Sequence, residues 1–281
     1  MAKEFNCAIL SLDSLALYKE IDIASAKPTK KERGEIPHFG IDEIEINTPF
    51  NVTLFIELYK KADSFCKKEN LNLIIVGGTG FYLKTLIEGI SKLPKIDNKA
   101  KEIVKDQMYN LKKAYTFLKE IDPSYAKKIK PNDRYRIEKA LTIFYQTKKI
   151  PTIYFKSSPP KPILTDLTLF EISIDKDLLN RRIEQRTYEM FEMGLVDEVA
   201  NLEFKYTRTP HPMKAIGIKE VLGYFDGRYK LQDTKELIII HTRQLAKRQK
   251  IFNKTQFPPH ITTSAQNLKQ KISSLFINHL S

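Results

Sequence analysis

"LNLIIVGGTGFYLK", residues 71–84, decides the fold. Leu71 to Val76 is a short apolar run rich in β-branched residues, and Gly77, Gly78, Thr79 and Gly80 end it before a helical pattern that begins near Phe81. A continuous apolar run of this length reads as a strand buried on both faces, the kind found in parallel sheets covered by helices. Its surroundings repeat the design. "CAILSLDS" (7–14), "LTLFEISID" (167–175) and "PHITTSA" (259–265) are further runs of the same kind, separated by long helical patterns. One of these, "NVTLFIELYKKADSFCKKEN" (51–70), places Leu54, Phe55, Leu58, Ala62 and Phe65 on one face, as a helix covering a sheet requires. Ala2 to Asn6 read as the last turn of a helix leading into the first strand. The alternation defines an α/β protein with a parallel sheet core.

Between Leu93 and Lys161 the character changes to lysine-rich helical stretches, followed by the Pro-rich strip "SSPPKP" (157–162). This reads as a mainly helical insertion, with 1–95 and 165–281 forming the α/β core and 96–164 the insertion. The 281 residues include 47 Lys+Arg against 34 Asp+Glu, a net charge of +13. Such an excess points to a polyanion such as nucleic acid or to a phosphorylated substrate, or else to an evenly lysine-rich surface with no particular partner. Cys7 and Cys66 are too few and too scattered for a zinc site or a disulfide scaffold. No apolar run approaches the roughly 20 residues of a membrane span, and no signal-peptide core opens the chain. A cytoplasmic monomer with no membrane attachment is the expectation.

Ligands of open α/β sheets bind at the carboxyl ends of the strands. Asp13 stands at one such end, where a carboxylate either faces the ligand crevice or caps a helix over "SLALYKEI" (14–21). The glycine turn stands at another, where backbone N–H groups either hold an anion or simply make a tight strand-to-helix turn. Its spacing is not that of a Walker A loop. Near the carboxyl end, "HTRQLAKRQKIFNK" (241–254) stacks Arg243 on Lys247 and Gln244 on Arg248 along one helix side, a face that grips phosphates or is merely solvated. "KPNDRYRIEKAL" (130–141) adds Arg134, Arg136 and Lys139 with Tyr135 for stacking on a base, and "PMKAIGIKE" (212–220) adds Lys214 and Lys219 around Gly217. "LLNRRIEQRTYEMFEMGLVDEVANL" (178–202) reads as an amphipathic helix ended by Gly194, with Leu179, Ile183 and Met190 packed and Arg182 and Arg186 in water.

Taken in order, "LSLDSLALYKEIDIASAKP", "IPHFGIDEI", "IIVGGTGFYLKTLIEGI", "IKPNDRYRIEKAL", "RIEQR…GLVDEV", "KAIGIKE" and "TRQLAKRQ" closely resemble the bacterial tRNA dimethylallyltransferases over essentially the whole chain. The resemblance implies a fold akin to P-loop kinases, with a helical insertion that closes over a tRNA anticodon stem-loop. It implies transfer of a dimethylallyl group from dimethylallyl diphosphate to the exocyclic amine of the adenine 3′ of the anticodon, assisted by Mg²⁺. By position, Asp13 matches the family's general base, which favours the crevice over the cap. Contacts to tRNA are implied for Asp13, Ser14, Leu15 and Ala16, for Thr79, for Lys101, for Tyr135, Arg136, Ile137, Glu138 and Lys139, and for Lys214, Ala215, Ile216, Gly217, Ile218 and Lys219. Arg243, Lys247 and Arg248 are candidates for the diphosphate side. Family members begin with a strand and a GPTASGK[ST] phosphate loop that also supplies the metal's hydroxyl ligand, and this chain has no such stretch. The expectation is a start taken at an internal methionine, or else gene decay. The chain as numbered is then expected to bind the stem-loop and transfer poorly; the alternatives are a tRNA-binding remnant without catalysis and, more remotely, a nucleotide kinase. Ile218 replaces the family's usual Tyr, and "RQKIFNK" lacks its usual Thr-Trp pair, although an aromatic remains at Phe252.

Overall fold

Parallel pairing of three short strands organises the first part of the chain. In the computed structural model, which describes residues 1–278, β1 (Cys7–Ser11), β2 (His38–Phe39) and β3 (Asn72–Val76) form a sheet in the order β2-β1-β3, with Ile9 opposite both His38 and Ile74. Ala8 and Leu10 are fully buried between layers. The connections are α1 (Lys30–Arg33) and α2 (Val52–Glu69), and α3 (Gly80–Glu88) leaves the sheet after the glycine turn. α2 starts because the Asn51 side chain accepts from the Leu54 N–H (3.1 Å), and it stops at Asn70 in the left-handed conformation. Its apolar stripe buries Phe55, Leu58, Ala62 and Cys66, and Phe65 meets Phe39 of β2 edge-on, centroids 5.4 Å apart.

The chain divides into two compact units, residues 1–84 with 166–281, and residues 85–165. The second unit contains α4 (Asn98–Gln107), α5 (Leu111–Ile121), α6 (Pro123–Ala126), α7 (Arg134–Thr147) and α8 (Pro151–Ser157) around a core of Val104, Met108, Leu118, Ile137 and Leu141. Buried Asp122 pins its loops by accepting from Tyr125 N–H, Thr152 N–H and the Thr152 hydroxyl. The unit begins at Thr85, inside α3, rather than at 96. The reason lies in the main chain, where the Leu86 carbonyl accepts from both the Ile163 and Leu164 N–H groups (2.9 Å each) and so joins the two ends. Residues 85–165 carry 18 basic and 8 acidic side chains, so +10 of the net +13 sits in this unit. The evenly basic surface is thereby excluded.

In the first unit, β4 (Phe170–Ser173) and β5 (Ile261–Ser264) form a separate two-stranded parallel sheet. Among the described residues β3 and β4 each pair along one edge only, and Val76 and Ile172 on them are 52% and 54% exposed. The helices here are α9 (Lys176–Glu192), α10 (Leu195–Tyr206), α11 (Ile218–Phe225), α12 (Leu231–Gln256) and α13 (Ala265–Asn278). Gly194, φ +98°, turns α9 into α10 where the sequence places a helix end. Ile183 is buried, Leu179 and Met190 half-buried, and Arg182 and Arg186 exposed. Ala2–Asn6 close as a helix end does: Phe5 N–H donates to the Met1 carbonyl (2.9 Å), and Cys7 N–H to the Ala2 carbonyl (2.8 Å) past left-handed Asn6. One local expectation differs from the structure. Residues 14–21 form no helix, because tertiary pairing captures their backbone, with Lys19 N–H donating to Ile44 and Ile44 N–H to Leu17. No helix among the described residues is long and apolar enough to cross a membrane.

His260, just before β5, sits with Nδ1 2.8 Å from the Pro258 carbonyl and Nε2 3.2 Å from Glu171 Oε2 in β4. The Pro258 hydrogen bond, then the Glu171 bond, raises its pKa above 6.5. A raised folded-state value contributes stability that is complete below the unfolded pKa and is lost as pH rises through the folded one. His260→Gln is therefore expected to destabilise the protein more at about pH 5.5 than at about pH 8.5 in urea titrations. Equal losses at both would assign the ring a packing role alone.

Candidate active site

Three segments meet where β1 and β3 end. Leu12 N–H donates to the Val76 carbonyl (2.7 Å), which ties the two strand ends together. Gly77 follows at φ +153°, and a Cβ there would lie 2.6 Å from Leu12 Cβ. α12 crosses the same turn. A Cβ on Gly78 would lie 2.3 Å from the Gln249 amide nitrogen, and one on Gly80 2.7 Å from the Phe252 ring. The glycines thus make room for a helix, and Lys84 to Gln256 (2.8 Å) adds a tie between α3 and the end of α12. Tyr82 anchors the first turn of α3, stacked on Phe55 at 5.0 Å and edge-on to Phe50 at 5.1 Å. Burial pushes its hydroxyl up to about 12, so it stays neutral. The Gly78 and Thr79 N–H groups and the Thr79 hydroxyl bond to none of the described residues, which leaves donors available for a polar ligand.

Asp13 caps a turn rather than a helix. Its Oδ1 accepts from the Leu15 (2.7 Å) and Ala16 (3.3 Å) N–H groups. Oδ2 accepts from none of the described residues. The turn therefore fixes the carboxylate plane while one oxygen stays open. Ser14 and Leu15 are half-buried beside it, and Ala16 is buried.

The Lys214–Lys219 segment follows a 3-10 turn, His211–Lys214. Lys214 and Lys219 are exposed, Ala215 and Ile216 half-buried, and Gly217 takes φ +95°. Ile218 lies in the core with Leu17, Tyr18 and Ile21, so the departure from Tyr falls on a packing position and not on an exposed one. Beneath this turn lies the irregular stretch 22–24, whose three successive N–H groups all donate to the Glu198 carboxylate (2.7–2.9 Å). Sequence reading passed over Glu198, Glu220, His241 and the packing role of Gln249, because acidic residues among lysines look like a solvated face. Glu220 did leave a signal, standing three residues after Gly217 at a helix start, as in a capping box.

On α12, Arg243 is held 3.3 Å from Glu184, and its buried Nε has no partner among the described residues. Lys247 and Arg248 are exposed and form no ion pair among the described residues. In the helical unit, taken by itself, Lys101 is exposed on α4 and Tyr135 is 68% exposed on α7, with Lys139 Nζ 5.5 Å above its ring. Asp133 starts α7 by accepting from the Arg136 N–H (3.0 Å) and pairs with its guanidinium. Glu138 is half-buried. The Ile137 side chain lies wholly inside the helical core, between neighbours that form a surface. Among the described residues no group of three or more His, Cys, Asp or Glu is placed to hold a metal ion.

A family model described as IPP transferase matches residues 16–256. The chain belongs to this family. Two similar relatives are tRNA dimethylallyltransferases: that of Nautilia profundicola is 51% identical over 98% of this chain and 93% of its own length, and that of a Sulfurovum species 51% identical over 96% and 90%. Among solved structures, a eukaryotic dimethylallyltransferase acting on tRNA superposes with a TM-score of 0.86 at 25% identity, covering 99% of this chain and 75% of that one. The tRNA isopentenylpyrophosphate transferase of Staphylococcus epidermidis gives 0.69 at 30% identity, covering 100% and 93%. The α/β core predicted from the strand runs is therefore the family's own fold. The family match spans the glycine turn, α7, the Lys214–Lys219 turn and α12.

Because only the flexible amide end of Gln249 fills the space over Gly78, Gly78→Ala should push it aside and destabilise the protein by no more than about 1 kcal/mol, the low end for overpacking. Adding Gln249→Ala should return most of that loss in a denaturant cycle. Strictly additive effects would show that α12 does not press on the turn.

Proposed function

We propose that this chain transfers a dimethylallyl group from dimethylallyl diphosphate to the exocyclic amine of the adenosine next to the anticodon, in tRNAs that read codons beginning with U. The observation that carries the reading is Asp13, whose carboxylate is oriented by two backbone N–H groups and keeps Oδ2 open one residue beyond the Leu12–Gly77 contact. An adenine amine is a poor nucleophile because its lone pair is delocalised into the ring. As its nitrogen bonds to the allylic carbon, the carbon–oxygen bond to diphosphate breaks and the electron pair leaves with the diphosphate. The amine proton passes to Asp13 Oδ2. Lys247 and Arg248, with Arg243, lie on the helix that crosses the glycine turn and would meet the charge growing on the leaving group. Thr79 would hydrogen-bond the base or its sugar.

The target base must leave the anticodon stack, at a cost of a few kcal/mol. The concentration of +10 in residues 85–165 supports the RNA partner, since an unpaired excess of lysines offsets that cost through phosphate contacts. Tyr135, with Arg136 and Lys139 beside it, supplies a stacking platform flanked by cations.

Asp13→Asn separates the two roles of this side chain, because an amide oxygen still caps the turn but takes no proton. Both Asp13→Asn and Asp13→Ala should lower the single-turnover transfer rate by about 10² to 10⁴, with stem-loop affinity retained. An Asn variant as fast as the unsubstituted chain would leave Asp13 only its cap. Stem-loop binding without any transfer would instead favour a tRNA-binding protein. Arg136→Ala and Lys139→Ala should each flatten the salt dependence of stem-loop binding by about one unit of log-log slope; unchanged slopes would remove α7 from the RNA surface.

A further inference from the structure

Glu220 is a buried carboxylate, 2% exposed, that the chemistry above does not use. Its Oε2 accepts from the Gly217 N–H (2.7 Å), its Oε1 lies 2.6 Å from His241 Nδ1, and Lys219 Nζ stands 3.4 Å from Oε1. With Glu220 as a carboxylate, which only accepts, Nδ1–H of His241 is the donor of this contact. A helix cap would need only the Gly217 bond. The second oxygen reaches a different element, the middle of α12.

We infer that Glu220 and His241 are positioning residues that lock the Lys214–Lys219 turn to α12, so that the RNA-facing turn and the helix lying on the glycine turn keep one fixed relation. This rests on the RNA-binding reading of that turn. A charge at this depth persists only when its oxygens are fully hydrogen-bonded, and here the donors come from both elements. The turn needs an external hold, because Gly217 at φ +95°, ψ −59° lies outside the helical and extended wells. α12 transmits the position. Eight residues of helix separate His241 from Gln249, about 12 Å of rigid rise, and Gln249 is the residue packed over Gly78. The pair lines a cleft of about 450 Å³ together with Lys214 and Lys219. Arg208 and Arg228 on the same cleft are ion-paired with Asp226, and Arg208 also with Glu203, so Lys214 and Lys219 are the cations that suit the phosphates of the same RNA.

The test compares His241→Asn, whose amide N–H replaces Nδ1–H, with His241→Leu, which fills the space without a donor. Binding of a fluorescent anticodon stem-loop and amide exchange across residues 215–220 are measured on both, with thermal melts confirming that each variant folds. The Asn variant should bind within about twofold of the unsubstituted chain, and the Leu variant about tenfold more weakly with faster exchange at Gly217. A Leu variant that binds and exchanges like the unsubstituted protein overturns the inference. So does an Asn variant as impaired as Leu, because packing alone would then be at stake. If the unsubstituted chain fails to bind the stem-loop, the RNA reading falls, while the exchange comparison still decides whether the pair locks the turn.

Discussion

A helix laid directly on a glycine-rich turn is the contact from which the rest of the site takes its geometry. α12 comes close enough that Gln249 and Phe252 occupy the volumes where Gly78 and Gly80 would carry a Cβ. That closeness fixes α12 against the turn after β3 without any loop to place it. The same helix reaches β4 through Asn253 and Glu171 (3.1 Å) and reaches α11 through His241. A rigid rod therefore connects parts of the core that share little sheet.

Irregular backbone in this protein is held mainly by carboxylates. Glu198 collects three N–H groups of residues 22–24, Glu220 takes that of Gly217, Asp122 gathers two N–H groups and a hydroxyl in the helical unit, and Asp13 holds its own turn. Lys27 adds an ammonium to the same scheme, donating to the Tyr18 carbonyl and pairing with Asp22 and Asp42. Buried N–H groups outside helices and strands need such acceptors. The loops around the site can then be non-repetitive and still hold one shape.

Strands β1 and β3 and the helix α2 were legible from sequence because apolar runs and a one-sided stripe report burial directly. The segment 14–21 was not, since its local pattern suits a capped helix and only the distant partner Ile44 decides otherwise. Asp13 was found by its place at a strand end, although its cap and its open oxygen needed coordinates. The lysine-flanked motifs were read through their charges, which hid the buried Glu220. Within Tyr135–Lys139, helical periodicity turns the middle member, Ile137, into the core and leaves Tyr135 and Arg136 on the surface.

Charge segregation between the two compact units has a physical corollary. With only a small excess of cations spread over the larger unit and most of the surplus confined to residues 85–165, dissolved electrolyte pulls the helical segment in opposite directions. Screening relaxes the mutual repulsion of its lysines and so steadies the segment, yet it also loosens that segment's hold on any polyanion. A bound nucleic acid would act as a multivalent counterion, replacing the salt that the bare helices otherwise recruit.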